Sequence, residues 1–188
     1  MTGAITLNGR SVNIHNGTPH LQSLLEWGLE RLKAAGLAEP RFGSVTFEPS
    51  RRCGGLAGRV VDTESSRDLF MCIYESDLCV DGDECLVFSR SARFGMLHEL
   101  AHAWMIDSVD DPTRSQVLRL SGREKWNDLD ASWVDRGVEY AAEVIAWGLM
   151  DVDLALARLG NPPCREVLTA YETLTGVPPL RGNKVCDE

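Results

Sequence analysis

Two histidines four residues apart provide the clearest chemistry in this chain, in the segment His98-Glu99-Leu100-Ala101-His102. Residues four apart on an α-helix lie about 40° apart around its axis, so both imidazoles can meet one metal ion. Glu99 is offset by about 100° from His98, which lets its carboxylate reach water at the metal without being a ligand. Neutral imidazoles suit Zn²⁺, which lowers the pKa of its water toward about 7, and a neighbouring carboxylate can take the proton. The segment predicts one Zn²⁺ per chain, with Glu99 as general base.

The residues around this motif predict that its helix is buried. Residues 91–107 are apolar around most of the helix circumference, with Phe94, Leu97 and Trp104 among them, and a helix of this kind lies in a protein core. Burial of two imidazoles and a carboxylate is costly unless another group compensates for the lost water. A metal ion is the natural compensation.

The third ligand cannot be a later histidine. No histidine follows His102, while His15 and His20 lie far upstream on another element. The metzincin pattern would need Gly and His where this chain has Met105 and Ser108, so that class of metallopeptidase is excluded. A carboxylate must therefore complete the site.

Two glutamates, Glu139 and Glu143, are the candidates, and they lie four apart on one face of a helix predicted over residues 137–157. Two carboxylates at this spacing repel each other and destabilise a helix. Near a divalent cation, however, one can bind the ion while the other accepts an imidazole N–H. The alternative is a solvated acidic face, which the apolar neighbours Ile145 and Trp147 disfavour.

The two motifs together resemble the gluzincin metallopeptidases, which include thermolysin-like proteases, membrane-alanyl-type aminopeptidases and ImmA/IrrE-type proteases. The segment Glu139-Tyr140-Ala141-Ala142-Glu143 is similar to the Glu-x-x-Ala-Glu motif of the aminopeptidases. The resemblance implies a zincin-like fold with Glu139 as the third metal ligand. It also implies that Glu143 accepts a hydrogen bond from the N–H of a ligand imidazole. The aminopeptidase motif Gly-Ala-Met-Glu-Asn is absent, so an endopeptidase is expected.

Catalysis by such a site also needs a donor for the oxyanion of the transition state. Tyr140 and Tyr74 are the candidates for this role. The tryptophans Trp126, Trp133 and Trp147 are interpreted as packing residues rather than as platforms for sugar rings.

Hydrophobic periodicity and turn residues define the elements that must position these side chains. A first helix is predicted over residues 19–36, capped by Thr18 and ended by Gly36. Strands are predicted at 44–47, 58–62, 69–74 and 85–89, and further helices at 91–107, 114–120, 137–157 and 165–175. This order indicates an α+β fold with a small, mostly antiparallel sheet. The strand at 69–74 or the one at 85–89 is expected to be the edge that binds substrate.

The 188 residues are consistent with one domain, residues 1–188, in which 1–107 carries the sheet and the active-site helix and 108–188 the third ligand. An excess of acidic residues gives a net charge of −9, which argues against a sequence-independent grip on nucleic acid. No apolar run approaches the length of a membrane span. A monomer is expected, with a peptide or protein as substrate.

Six cysteines bear on the compartment. Cys79 and Cys85 are symmetric about Gly82, so a hairpin turn there would pair them. Cys164 and Cys186 bracket the last helix and the tail, which leaves Cys53 with Cys72. The alternative is buried free thiols. No signal peptide is visible, which favours the cytoplasm, whereas paired cysteines would favour secretion.

The leading functional hypothesis is therefore a zinc-dependent endopeptidase. A non-catalytic module stabilised by zinc, which binds a partner, is the main alternative. The uncoordinated carboxylate of Glu99 favours the enzyme, because a closed structural site has four protein ligands. A hydrolase that acts on a bond other than a peptide is the third hypothesis.

Overall fold

A computed structural model describes residues 3–7, 9–48, 58–62, 67–73, 78–80, 85, 87–151 and 155–180. Within these residues the chain is α+β, with one mixed sheet and five α-helices. The strands are β1 (Gly3–Leu7), β2 (Arg10–His15), β3 (Ser44–Glu48), β4 (Gly58–Asp62) and β5 (Arg67–Cys72). The helices are α1 (Pro19–Ala34), α2 (Arg90–Ser108), α3 (Asp111–Ser121), α4 (Gly137–Leu149) and α5 (Cys164–Thr175).

The sheet has the strand order β1-β2-β3-β5-β4. The outer pairs β1–β2 and β4–β5 are antiparallel, whereas β2–β3 and β3–β5 are parallel. The expectation of a mostly antiparallel sheet is therefore wrong. The parallel pair β2–β3 arises because α1 lies between these strands in sequence, and such a crossover connects parallel neighbours.

One face of the sheet forms the floor of the core. Alternate residues of β2, β3 and β5 are buried, as a half-buried sheet requires: Val12, Ile14, Val45, Phe47, Leu69 and Met71. Helices α1 and α2 pack against each other in the same apolar core. The first of these helices begins as predicted, with the Thr18 side chain accepting a hydrogen bond from the Leu21 amide.

The helix with the two histidines, α2, is buried along most of its length, as expected from its composition. Its first turn is capped by the Ser89 side chain, which accepts a hydrogen bond from the Ala92 amide. Met96, Leu97 and Leu100 are fully buried. This rigid, enclosed helix fixes where the imidazoles can point. None of the described helices is both long enough and apolar enough to cross a membrane.

Helix α4 crosses α2 and is almost entirely buried. It ends at Leu149 rather than continuing to residue 157. Met150 is extended, and the next residue, Asp151, accepts two short hydrogen bonds from Arg93 of α2, at 2.6 and 2.7 Å. The Leu149 carbonyl accepts a hydrogen bond from Arg31 of α1 at 2.8 Å. These contacts with other helices fix the end of α4.

The strand expected at residues 85–89 is not present among its described residues, 85 and 87–89. Only an isolated bridge joins Cys79 to Phe88, and Cys85 has a positive φ of 46°, which interrupts extended structure. The other expected substrate edge, β5, is paired on both sides, by β3 and β4. Neither predicted strand is thus an edge of the sheet, and among the described residues the edge strands are β1 and β4.

A disulfide joins Cys79 to Cys85, with their Cα atoms 5.0 Å apart, which confirms the predicted pair. The turn between them, residues 81–84, lies outside the described part of the chain. Cys72 and Cys164 are also disulfide-bonded. Their predicted partners, Cys53 and Cys186, are outside the described residues, so those two pairings stay predictions.

Candidate metal centre

Three side chains from α2 and α4 converge at one point. His98 and His102 present their Nε2 atoms 3.1 Å apart, and each atom lies 3.2 Å from Oε2 of Glu139. The imidazoles come from successive turns of α2, and the carboxylate comes from the first turn of α4. These three ligand atoms could hold a metal ion.

The spacing of the three atoms is consistent with such an ion. Ligand atoms placed tetrahedrally at bonds of 2.0–2.1 Å around Zn²⁺ lie about 3.3 Å from one another. The measured 3.1–3.2 Å is close to this value. Three lone-pair atoms meeting in a largely buried place also need a positive charge between them. The donor set of two imidazoles and one carboxylate supplies three protein ligands, which would leave one tetrahedral position open.

His98 is enclosed from a second side by Glu143 and by residues outside α2 and α4. Oε1 of Glu143 lies 3.4 Å from Nδ1 of His98 and accepts a hydrogen bond from Arg158 at 3.2 Å. The ring of Trp133 stacks on the imidazole, with centroids 6.0 Å apart and planes at 26°. The Arg158 guanidinium in turn lies 4.2 Å from the centroid of the Trp133 ring. His98 is therefore held in its orientation by a closed set of contacts.

Arg158 has no sequence pattern that predicts a place in this site, and the sequence predicts Trp133 only as a packing residue. Both belong to the segments that flank α4, a turn of 3₁₀-helix at Trp133–Asp135 and another at Ala157–Leu159. No spacing rule connects these segments with α2. Only the packed structure brings them to His98.

Glu99 lies on another side of α2, against the edge strand β4. Its side chain is 3% exposed, and its Oε2 atom has no hydrogen-bond partner among the described residues. A Cβ atom placed on Gly58 would lie 2.4 Å from Cδ of Glu99 and 2.7 Å from the Phe70 carbonyl oxygen. The carboxylate of Glu99 thus occupies space that only a glycine at position 58 leaves free.

Burial and neighbouring charges shift the pKa values of these groups in the metal-free chain. Burial lowers the pKa of His98, but its contacts with Glu139 and Glu143 outweigh burial and raise the pKa to about 9. Burial raises the pKa of Glu139, but hydrogen bonds with both imidazoles hold it well below its usual range. Burial dominates at Glu99 and raises the pKa of that carboxyl. The carboxylates around His98 therefore favour its protonated form, so a cation that binds here would compete with a proton.

Of the two tyrosines considered as oxyanion donors, the structure describes only Tyr140, whose hydroxyl is directed to α5. The Tyr140 hydroxyl donates a hydrogen bond to Glu166 of α5 at 3.0 Å, and its ring packs against Arg123 at 4.3 Å. Burial, together with Glu166, raises the pKa of this hydroxyl. Tyr74 lies outside the described residues. The role of either residue as a donor stays a prediction.

No protein-family model, no curated protein and no solved structure matches this chain. The resemblance to gluzincins therefore rests on the motifs around His98 and Glu139 and on the geometry that brings them together.

Proposed function

We propose that this protein is a zinc-dependent peptidase in which His98, His102 and Glu139 hold the metal ion. The observation that carries the proposal is the position of Glu99. This carboxylate is buried, lacks a partner for one oxygen among the described residues and follows a ligand directly in sequence. A metal site that served only stability would not need an uncoordinated carboxylate beside it.

The proposed chemistry divides between the ion and the chain. When bound, Zn²⁺ supplies Lewis acidity, which polarises a carbonyl and makes water more acidic. Glu99 accepts the proton of the attacking water and delivers it to the leaving amine. Oε1 of Glu143 lies 3.4 Å from Nδ1 of His98, close enough that a small shift would let it accept the Nδ1–H and direct the lone pair of Nε2 toward the ligand cluster.

The edge strand β4 supports binding of an extended peptide. Within the described residues β4 pairs only with β5, so its other edge can accept the backbone of a substrate as an added strand. Gly58 at the start of β4 lies against Glu99. A peptide on this edge would therefore pass close to the proposed base, and binding along a strand suits an endopeptidase.

A peptide library, half with both ends blocked, tests this proposal with zinc-loaded protein. Wild type is expected to cleave end-blocked peptides and to lose this activity with a chelator. Glu99→Gln is nearly isosteric and should keep zinc while losing about 10²–10⁴-fold in rate, the usual contribution of general acid–base catalysis. Glu30→Gln makes the same chemical change at an exposed position of α1 and should leave the rate unchanged.

Two outcomes would contradict the proposal. Full activity of zinc-loaded Glu99→Gln would remove the proposed role of this carboxylate. Zinc bound at the cluster without cleavage of any peptide would favour the non-catalytic module instead.

A further inference from the structure

A cavity of about 430 Å³ opens beside the ligand cluster. Glu143 connects the two places, because it contacts His98 and also lines the cavity. Phe94 lies one helical turn before His98, and the remaining wall comes from the segment that precedes α5. The main lining residues are Arg90, Phe94, Glu143, Ala155, Ala157 and Arg158.

The cavity is lined by both apolar and charged side chains. Phe94, Ala155 and Ala157 give it apolar walls. Arg90 is exposed and makes no ion pair within the part of the chain that the structure describes. The Arg158 side chain is 55% exposed, although one of its nitrogens bonds to Glu143. The cavity therefore carries two guanidinium groups and a single carboxylate.

This local charge is opposite to that of the whole chain, which has a net charge of −9. The carboxylate of Glu143 is shared between Arg158 and His98, so it leaves the Arg90 charge unbalanced. Guanidinium groups bind carboxylates strongly because their N–H groups match both oxygens. The apolar walls would contact the methylene groups that carry such a carboxylate.

We propose that this cavity binds an acidic side chain of the substrate, glutamate or aspartate, beside the bond to be cleaved. Arg90 contacts the carboxylate, and Phe94 contacts the methylene groups. The proposal names the substrate class of the peptidase site, so it rests on the proposed function.

Direct binding tests the proposal without relying on cleavage. The probes are the hydroxamates of N-acetylglutamate, N-acetylglutamine and N-acetylleucine, in which the hydroxamate group binds the metal and the side chain samples the cavity. Calorimetry with zinc-loaded protein should give about a three- to tenfold tighter affinity for the glutamate probe than for the glutamine probe. This preference should weaken as salt is added, since Arg90 is exposed to solvent.

Arg90→Gln should abolish the preference and leave the affinity of the leucine probe unchanged. The first turn of a helix disfavours a cation, so this substitution should not destabilise α2. Arg119→Gln is the matched control, because Arg119 is an exposed helical arginine outside the lining of the cavity. It should retain the full preference.

Equal affinity for the glutamate and glutamine probes would overturn the assignment of the cavity, as would failure of all three probes to bind. A preference that survives Arg90→Gln would overturn it as well. Cleavage of peptides is measured separately, so a protein that gives any of these results and still cleaves peptides would contradict the cavity assignment and leave the proposed function standing. A glutamate preference that depends on Arg90, in a protein that cleaves no peptide, would support the cavity and contradict the peptidase.

Discussion

The two sides of helix α2 that matter for the site are organised differently. Toward α4, the imidazoles of His98 and His102 meet a carboxylate that comes from one other helix. Toward the sheet, Glu99 meets the backbone of a strand, at Gly58. On the first side, the placement of the two imidazoles next to each other follows from the regular spacing of side chains on one helix. The second depends on how closely a helix and an edge strand approach each other, and such an approach leaves no periodic signal in the sequence.

The two sides of α2 should also respond differently when the structure around them is disturbed. Ligands on successive turns of α2 remain neighbours when the helix moves as a unit. The position of Glu99 relative to β4 changes as soon as the strand moves, because no hydrogen bond within the described residues holds its Oε2 atom. The ligand side should therefore fail by loss of metal, and the sheet side by loss of activity with metal retained.

Removal of a ligand should have the largest effect. His102→Ala takes away one of the three ligand atoms, and the affinity for zinc should fall by more than about 100-fold, beyond the effect of a supporting residue. Elemental analysis of purified protein and competition with a chromophoric chelator measure this loss. His20→Ala, at an exposed position of α1, should retain full zinc. Full zinc in His102→Ala would contradict the ligand assignment.

The two glutamates of α4 should separate in the same assay. Glu139→Gln removes a ligand oxygen and should lose zinc as His102→Ala does. Glu143→Gln leaves the three ligand atoms in place and should weaken zinc binding by about 10–100-fold, the usual effect of a residue that orients a ligand. If Glu143→Gln loses zinc while Glu139→Gln keeps it, the two roles must be exchanged.

The sheet side is tested by adding one methyl group. Gly58→Ala would place a Cβ atom 2.4 Å from Cδ of Glu99, so the carboxylate or the strand must move. A displacement of about 1 Å can reduce turnover by about 100-fold, and zinc content should stay unchanged. Gly95→Ala, on α2 itself with nothing within 4 Å of the added Cβ, is the control. Thermal unfolding of both variants shows whether the fold persists, and unchanged turnover in a folded Gly58→Ala would refute the positioning role.

Loss of the ion pair between Arg67 and Asp107, which joins the sheet to α2, should have the smallest effect. Arg67 of β5 bonds to Asp62 of β4 and to Asp107 of α2, the latter at 2.6 Å. The hydrogen bond from Arg67 lowers the pKa of Asp107 below its ordinary 3.8. The stabilisation from this ion pair is therefore present above the unfolded-state pKa of Asp107. It is lost as the pH falls through the lower folded-state pKa.

Asp107→Asn should accordingly reduce the free energy of unfolding by about 0.5–1 kcal/mol at pH 7, as for a partly exposed ion pair. The difference from wild type should shrink below about pH 4. Denaturant unfolding at several pH values measures both. Asp130→Asn changes an exposed aspartate whose side chain makes no ion pair among the described residues, and it should be neutral. A loss of stability independent of pH would argue against the ion pair.

Several errors of the sequence-based prediction have identifiable causes. The hairpin β1–β2 was not predicted, although Asn8-Gly9 between apolar residues is a strong hairpin signal, and Gly9 indeed has a φ of 74°. Without these strands the parallel pairing of β2 with β3 could not be predicted. At residues 85–89 the apolar composition favoured a strand, whereas the described residues of this segment form only a bridge, with a positive φ at Cys85 and a disulfide from Cys85 to Cys79.

The sequence by itself determined the two helices with their ligand spacing and the pair Cys79–Cys85. It also pointed to a carboxylate as the third candidate ligand, because no histidine follows His102. Helical periodicity and composition are local properties, so they can be read along the chain. Only the tertiary structure decided that Oε2 of Glu139 lies 3.2 Å from both imidazoles, that β4 is an edge strand among the described residues and that Trp133 and Arg158 lie beside His98 and Glu143. These contacts join segments far apart in sequence, and their distances depend on the packing of the whole core.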